Sequence, residues 1–483
     1  MSSPVWNRGP ISAFGSPPKC DVDTPVSSAT FRHNQSTIRR VPNKKQMHML
    51  RKTRNFALHK FSQAYPTEAD SDWADVCVMP PREPAELRAE WVRSALVESG
   101  ALPDTASIVG LEAQALIPNA SLGFVQRFGL NYEGGSRGGW PSHLVLKRTS
   151  FGPHEDPQLA TEQAYCHAEI MFLTEAVGTV PAGAVLTPIM YWSFCRPPGD
   201  GEIRPHWQWA KGRFPEHPWA LGEYCCLLED LNHNNSTAAD EELTMEAASQ
   251  IVEALAKMHG AFWEAELLGN KCFSQRRSIE LADVRTVVSG LVDRSQLEDH
   301  VAEVYIPAIE VRTMLLEEVA RHGRTLTRGS VSGSLNNWIM TPQGPTSMSW
   351  GHIAAGSGAH DLAQFLTLGL NKEQQQEWTH SLVDLYYSRL VISGVDGGVY
   401  SKEWFIRDYQ TCLWEVSHEH LLRAGRALLS LPPLGPETPY RERKRVTEAI
   451  GPHQAVISAV CRALALGDAW QVIGIEDGSS DDA

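Results

Sequence analysis

The residues that could do chemistry fall in four short stretches. Lys147 closes the apolar run "HLVLKRTS", and Glu169 sits among apolar positions in "YCHAEIMFL" a little further on. A lysine on a strand and a glutamate on the following helix can form an ion pair that holds the phosphates of a nucleotide. The run "CCLLEDL" ends at Leu228, Glu229, Asp230 and Leu231, where the backbone at a strand end can offer hydrogen-bonding groups to an adenine ring. The fourth stretch, "LTRGSVSGSLNNWIM" from Leu326 to Met340, leads through glycine and small polar residues into Asn336 and Asn337. It is built like a catalytic loop, with serines where general-base work would need a carboxylate.

Serine-based chemistry is the competing use of these residues. Ser330, Ser332 and Ser349 are candidate nucleophiles, Arg328 and Lys147 are candidate cations, and His352 lies close to Ser349, with His360 and Asp361 beyond it. Such a set could serve a Ser/His/Asp relay. The G-x-S-x-G spacing of a nucleophile elbow is not met, because Val331 holds the third position of "GSVSG". Metal patterns fail as well. His418 and His420 in "SHEHLL" are two residues apart and point to different helix faces, and "CHAE" has no second ligand cluster in view. No metal ligand is assigned.

The elements that must position these residues are legible from period and punctuation. Leu87, Trp91, Ala95 and Leu96 recur at helical spacing in "EPAELRAEWVRSALVESG", and Gly100 stops the run. "SLGFVQRFGLNY" and "SHLVLKRTS" are rich in β-branched and aromatic residues and predict strands joined by "EGGSRGGWP". A helix over 156–178 follows, then strands at "AVLTPIMYWSF" and "EYCCLLEDL". The long loop from Arg196 to Pro218 carries Trp207 and Trp209, which with Trp219 could line a ligand cleft. From Thr244, a good N-cap, the pattern turns helical, with an apolar stripe through Ala247, Ile251, Ala254, Leu255 and Met258. Further helices are predicted over 297–322, 359–370, 373–393, 402–425 and 443–467, with a hinge or surface loop at 429–439.

In order and texture the chain resembles the ecdysteroid-kinase-like branch of the small-molecule kinases, relatives of the aminoglycoside and choline phosphotransferases. The resemblance covers roughly residues 85–430. It is carried by "AEWVRSALVESG", "VLK", "AEIMFL", "LLEDL", "ALAKMHGAFW" and "AHDLAQFL", and by "LVDLYYSRLVISGV" and "FIRDYQTCLWE". It implies that Lys147 contacts nucleotide phosphates, that Glu169 orients it, and that the backbone of Leu228, Glu229 and Leu231 faces the adenine. It also implies structural roles for His259 and Asp361, tying helices to the catalytic loop.

Three departures from the family pattern bear on activity. Family members carry a His-Gly-Asp loop, whose Asp accepts the proton of the attacking hydroxyl, with a metal-binding Asn five residues later. Here the corresponding triplet is Arg328–Gly329–Ser330 when Leu326 and Gly329 are aligned, or Ser330–Val331–Ser332 when Asn337 is, and neither supplies a carboxylate. Downstream, Ser349 precedes Trp350 where the family has a metal-binding Asp. The phosphate loop "LIPNASLGF" keeps only Gly123, and Pro118 removes an amide donor. Loss of a general base costs roughly 3–5 kcal/mol of barrier, which an enzyme could survive. Loss of the Mg²⁺ carboxylate is harder to absorb, because neutral hydroxyls are poor ligands for a hard dication.

Composition narrows the classes without choosing among them. A chain of 483 residues can build two lobes, and 42% apolar with 21% charged residues is ordinary for a soluble globular protein. A net charge of −14 argues against bulk binding to nucleic acid or an anionic membrane. Nine cysteines without a CxxC pair suit a reducing compartment, with Cys225 and Cys226 as buried small apolar residues. No apolar run reaches the roughly 20 residues of a membrane span. Residues 31–60 are basic and free of acid, which reads as a solvated tail of a cytoplasmic protein, the alternative being a mitochondrial transit peptide.

The expectation is therefore an α+β, two-lobed protein-kinase-like fold with a small β-rich N-lobe (84–231) and a larger helical C-lobe (232–470). The catalytic-loop region is 326–363. A loosely ordered basic segment (1–83) precedes the lobes, and an acidic tail (471–483) follows them. The expected function is binding of a nucleotide or small organic ligand in the interlobe cleft, with ATP the candidate cofactor, Mg²⁺ disfavoured, and standard Mg-ATP transfer lost. Two alternatives stand beside it. One is an active ATP-dependent phosphotransferase on a small hydroxylated substrate, with Asn336 or Asn337 on the metal. The other is an enzyme that reuses the cleft for non-phosphoryl chemistry through Ser330, Ser332, Ser349, His352, Arg328 and Lys147.

Overall fold

The computed structural model describes residues 80–81, 83–119, 123–150, 166, 168–181, 183–196, 223–231, 243–269, 273, 286–291, 323–329, 338–347, 350–431 and 439–467. The basic segment, most of the Arg196–Pro218 loop with Trp207, Trp209 and Trp219, the helix expected over 297–322 and the acidic tail lie outside these residues.

Helix α1 spans Ala89–Glu98 and is shorter than the expected run from Glu83. A 3₁₀ turn at Pro84–Glu86 precedes it, and Leu87 is extended (ψ 118°), which separates the two. Five strands follow: β1 (Ile108–Asn119), β2 (Gly123–Tyr132), β3 (His143–Ser150), β4 (Met190–Arg196) and β5 (Glu223–Glu229). They form one antiparallel sheet in the order β1-β2-β3-β5-β4. The strand expected from Ala184 begins only at Met190, two residues past Pro188, whose missing N–H excludes it from a ladder. Pro118 sits on β1, at the sheet edge where a proline is tolerated.

Alternation of period two decides which way each side chain points. Phe124, Phe128 and Leu130 of β2, Leu144 and Leu146 of β3, and Cys225 and Leu227 of β5 pack on one face with Val92, Ala95 and Leu96 of α1. Leu144 and Leu146 are fully buried, each contributing roughly 1.5–3 kcal/mol. The opposite face presents Val145, Tyr224, Cys226 and Leu228 to Ile170, on a helical stretch over 168–174. Lys147, two residues after Val145 and in register with Cys226, shares that second face.

The rest of the fold is mainly helical. Helix α2 (Met245–Ala261) is capped as expected, with Thr244 Oγ1 accepting from Ala247 N at 3.2 Å. Its buried stripe is Ala248, Ile251, Val252, Leu255, Ala256, Met258 and His259, so the expected stripe is rotated: Ala247 and Ala254 lie at its margin. Four small strands come next: β6 (Thr325–Thr327), β7 (Trp338–Thr341), β8 (Gly344–Ser347) and β9 (Ala354–Gly356). They pair antiparallel as β6–β9 and β7–β8. Helices α3 (Ala359–Leu368), α4 (Lys372–Ile392), α5 (Lys402–Ser430) and α6 (Tyr440–Leu466) close the chain. Nearly every residue of α3 is buried, which makes it the central helix of this half. Helix α4 starts on a capping box between Asn371 and Gln374.

Helix α5 runs into the expected 429–439 interruption as far as Ser430, because Leu428 is anchored in the core. Leu431, the residue before Pro432, is then extended (ψ 144°). By length and composition alone Arg443–Leu466 of α6 passes for a membrane span, a test that the core helix of a soluble protein passes as well. Ile457, Val460, Ala463 and Leu464 on it are nonetheless buried in the helical core. The α+β class is as expected, a β-rich part followed by a helical one.

One core contact has a measurable pH signature. His420 on α5 is 4% exposed, with Gln364 of α3 at 3.5 Å from its Nε2. Burial, then Arg423 and His360, push its pKa down to about 3. Its ordinary value is about 6.5, so the unfolded chain binds a proton that the folded one refuses. The contribution is thus fully present above pH 6.5 and lost as pH falls toward 3. Replacing His420 with leucine should flatten the acid limb of the stability curve over that window by about 5 kcal/mol, read from urea unfolding at a series of pH values. An unchanged acid limb would refute the assignment.

Candidate functional site

The strand lysine and the helix glutamate meet. Lys147 Nζ lies 2.5 Å from Glu169 Oε2, on the sheet face opposite α1. Glu169 is 1% exposed and Lys147 about a quarter exposed, 26%. Two further donors hold the carboxylate: Tyr224 donates its hydroxyl to Oε2 at 2.8 Å, and Trp350 donates its backbone N–H to Oε1 at 3.3 Å. Burial alone would raise the Glu169 pKa, but Lys147 with these two hydrogen bonds holds it below the usual carboxylate range. Burial would likewise lower Lys147, and Glu169 outweighs it, so the ammonium stays charged. Cys226, under the same pair, is pushed up to about 12 by burial and by Glu169, and is an inert thiol.

The contact to Trp350 ties this pair to the 326–363 region, where the catalytic loop is expected. Trp350 stacks on Phe172 from the Glu169 helix, ring centroids 4.4 Å apart, and its indole N–H donates to Ser347 O at 3.0 Å. Ser347 faces Trp338 across the β7–β8 ladder. The Arg328 guanidinium lies 4.8 Å from the Trp338 ring centre. A continuous set of contacts therefore joins Lys147 to Arg328, although 181 residues separate them in sequence number.

Asp361 organises the backbone entering the loop. Its Oδ1 accepts from Gly329 N at 2.9 Å, its Oδ2 accepts from Arg328 N, and His259 Nε2 lies 3.2 Å from Oδ2. His259 is oriented in turn by the Tyr386 hydroxyl at 2.7 Å, and its carbonyl accepts from the Thr325 hydroxyl at 2.8 Å. Gly329 has φ +61°, the left-handed region that favours glycine, so the loop can turn sharply as it leaves β6. His259 and Asp361 thus tie α2 and α3 to the loop entrance.

The other predicted residues fare differently. Ser330, Ser332, Ser349, Asn336 and Asn337 lie outside the described residues. His352 is in the turn between Trp350 and β9, half-buried. Asp361 is paired with His259, on α2. Leu228 is buried in the ladder, and the N–H groups of Glu229 and Asp230 donate to Ile189 O at 2.8 Å and His143 O at 3.1 Å, so these two expected adenine donors are already engaged. Sequence reasoning missed three parts: Tyr224, Trp350 N and Arg127. The last grips Asp230 with two hydrogen bonds of 2.9 and 3.2 Å, which makes that carboxylate a structural anchor. Gly123 is not a spare phosphate-loop glycine either. A Cβ there would stand 1.9 Å from Arg148 O, so it is needed for β2 to lie against β3.

The three buried carboxylates around the site thus have partners of their own: Glu169 holds Lys147, Asp230 holds Arg127, and Asp361 holds His259 and two backbone N–H groups. Between Glu318 and Asp361 the chain contains no Asp or Glu. Among the described residues no group of three or more His, Cys, Asp or Glu is placed to hold a metal. A groove of about 410 Å³ between α2 and the β7–β8 turn, lined by residues including Glu253, Lys257, Thr341 and Gly344, contains none of the predicted site residues.

No family model matches the chain, and no curated protein is similar to it in sequence. Among solved structures it is similar to a Ralstonia eutropha JMP134 protein provisionally assigned as an aminoglycoside phosphotransferase. Identity there is 12%, over 77% of this chain and 97% of that one, with a TM-score of 0.39. A spectinomycin phosphotransferase bound to ADP and spectinomycin gives 10% identity, 78% and 98% coverage, and a TM-score of 0.41. An amicoumacin kinase bound to AMP-PNP and Ca²⁺ gives 10% identity, 76% and 96% coverage, and a TM-score of 0.36. At such distances function is decided by this chain's own side chains.

Proposed function

We propose that the protein binds a nucleotide or a small organic polyanion at Lys147 and does not carry out conventional Mg-ATP phosphoryl transfer. The observation that carries this reading is the contrast between two halves of one site. The Lys147–Glu169 pair is assembled and held from three sides. Ser330 or Ser332 and Ser349 stand in sequence where a proton acceptor and a metal carboxylate would be required, and no acid lies between Glu318 and Asp361 to replace them. Phosphoryl transfer relies on positioning and charge neutralisation, so a cleft that keeps the cation but lacks the metal ligands is suited to holding phosphates. The chain's own contribution is then a pre-charged ammonium, a buried carboxylate that orients it, and an aromatic wall of Tyr224, which lies 5.8 Å from the ammonium.

Thermal-shift titration with ATP tests the reading. ATP should raise the unfolding midpoint equally with and without Mg²⁺, approaching about 2.7 kcal/mol of stabilisation at a hundred times its dissociation constant. No phosphate should be released from ATP in the presence of a metabolite mixture. A stabilisation that requires Mg²⁺, accompanied by phosphate release and abolished by Asn337→Ala, would establish the active phosphotransferase instead. Stabilisation by an organic ligand but not by ATP would favour reuse of the cleft for other chemistry.

A further inference from the structure

Arg328 is the residue whose surroundings least explain it. It is 8% exposed, and its Nε and Nη2 have no hydrogen-bond partner among the described residues. The guanidinium carbon lies over the Trp338 ring, 4.8 Å from its centre. Its backbone N–H is held by Asp361, so the residue cannot retreat without breaking the loop entrance. Across the β7–β8 ladder from Trp338 lies Ser347, fully buried, whose Oγ is also without a partner among the described residues.

Leaving such groups unpaired is expensive. A buried N–H or hydroxyl without a partner costs the desolvation it suffered, and charged groups cost more. Native proteins rarely keep several such atoms beside one ring unless something else satisfies them. The guanidinium is a donor only, with its N–H groups in a fixed fork, and the serine hydroxyl can donate beside it. A planar or tetrahedral oxyanion accepts from both, and the arginine fork is the best single match to a carboxylate or phosphoryl group. Burial pulls the guanidinium pKa down to about 10 against the raising effect of Asp361, and a neighbouring anion would favour the charged form.

The geometry points to Arg328, beside Trp338 and with the unpartnered Ser347 opposite that tryptophan on the next strand, as an oxyanion receptor that binds a carboxylate or phosphoryl group of the ligand directly, without a divalent cation. This goes beyond nucleotide binding at Lys147 and stands on different side chains, so the two can fail separately. The shared chemistry is an oxyanion, and the source is either a phosphate or an organic acid.

The test uses the full chain, free of divalent metal and at constant ionic strength. Pyrophosphate and succinate are titrated as probes by calorimetry and thermal shift, with chloride as the control salt. At least one probe should bind and raise the melting temperature above the chloride control, and its identity assigns the phosphoryl or carboxylate source. Arg328→Met keeps the packing on Trp338 and removes the fork, and should weaken that binding at least ten-fold. Lys444→Ala, which removes an exposed cation of α6 outside either proposed site, should leave it within about two-fold. If neither probe stabilises beyond chloride, the proposal is wrong. It is equally wrong if R328M binds as the wild type does. Binding lost in K147A but kept in R328M places the anion at Lys147, overturning this inference and leaving the nucleotide reading intact. Should R328M fail to fold, Arg328→Lys, which keeps the charge and loses the fork, must still weaken binding. Unchanged affinity in R328K would refute the fork.

Discussion

Replacing Asp361 with alanine should destabilise the protein by about 3–5 kcal/mol. Asp361 is 5% exposed, and its carboxylate partners among the described residues include His259 Nε2 at 3.2 Å, Gly329 N at 2.9 Å and Arg328 N. Alanine leaves two backbone N–H groups buried at a turn with φ +61°, where they cannot swing to solvent without unwinding the strand before them. Asn at the same position keeps one acceptor oxygen but must turn its NH₂ toward a donor, and should lose about half as much. Urea denaturation of the wild type and the two variants measures this. A D361A loss below about 1 kcal/mol would mean that the loop entrance is held by something other than this side chain.

The second large effect concerns the lysine–glutamate pair. Lys147→Ala leaves a carboxylate that is 1% exposed with only the Tyr224 hydroxyl and the Trp350 N–H for company. Breaking a buried pair from one side costs roughly 3–5 kcal/mol, and because Lys147 is 26% exposed and water can enter behind it, about 2–4 kcal/mol is expected here. The companion Lys147→Met/Glu169→Leu double variant removes both charges and should recover most of the loss. Both variants should abolish the ATP-induced rise in melting temperature. The comparison separates two roles: recovered stability with no ATP response marks the pair as a ligand site. A single K147A variant as stable as the wild type, still responding to ATP, would end the case for Lys147.

Much of the fold follows from local rules. Thr244, Asn371 and Ser401 each begin a helix with a side chain that accepts a backbone N–H, and short polar residues before an apolar-periodic run announce this. The boundaries that shifted did so for tertiary reasons. The stripe of α2 is rotated because burial of His259 against Asp361 and Tyr386 decides which face turns inward. Helix α5 outlasts its expected end because Leu428 finds a place in the core.

The sequence by itself determined that Lys147 and Glu169 can pair, since one ends a strand of period two and the other sits on the helical stretch that follows. Equally legible without coordinates is that no Asp or Glu lies between Glu318 and Asp361. What only the tertiary structure decided is where the remaining polar groups go. Glu169 is shared with Tyr224 and Trp350, Asp361 with His259, and Arg328 is enclosed beside Trp338. Glu169 and Trp350 are 181 positions apart, and His259 and Asp361 are 102 apart. Periodicity reports only on neighbours a few residues away, whereas the partner of a buried polar group is chosen by whichever distant segment packing brings within about 3 Å.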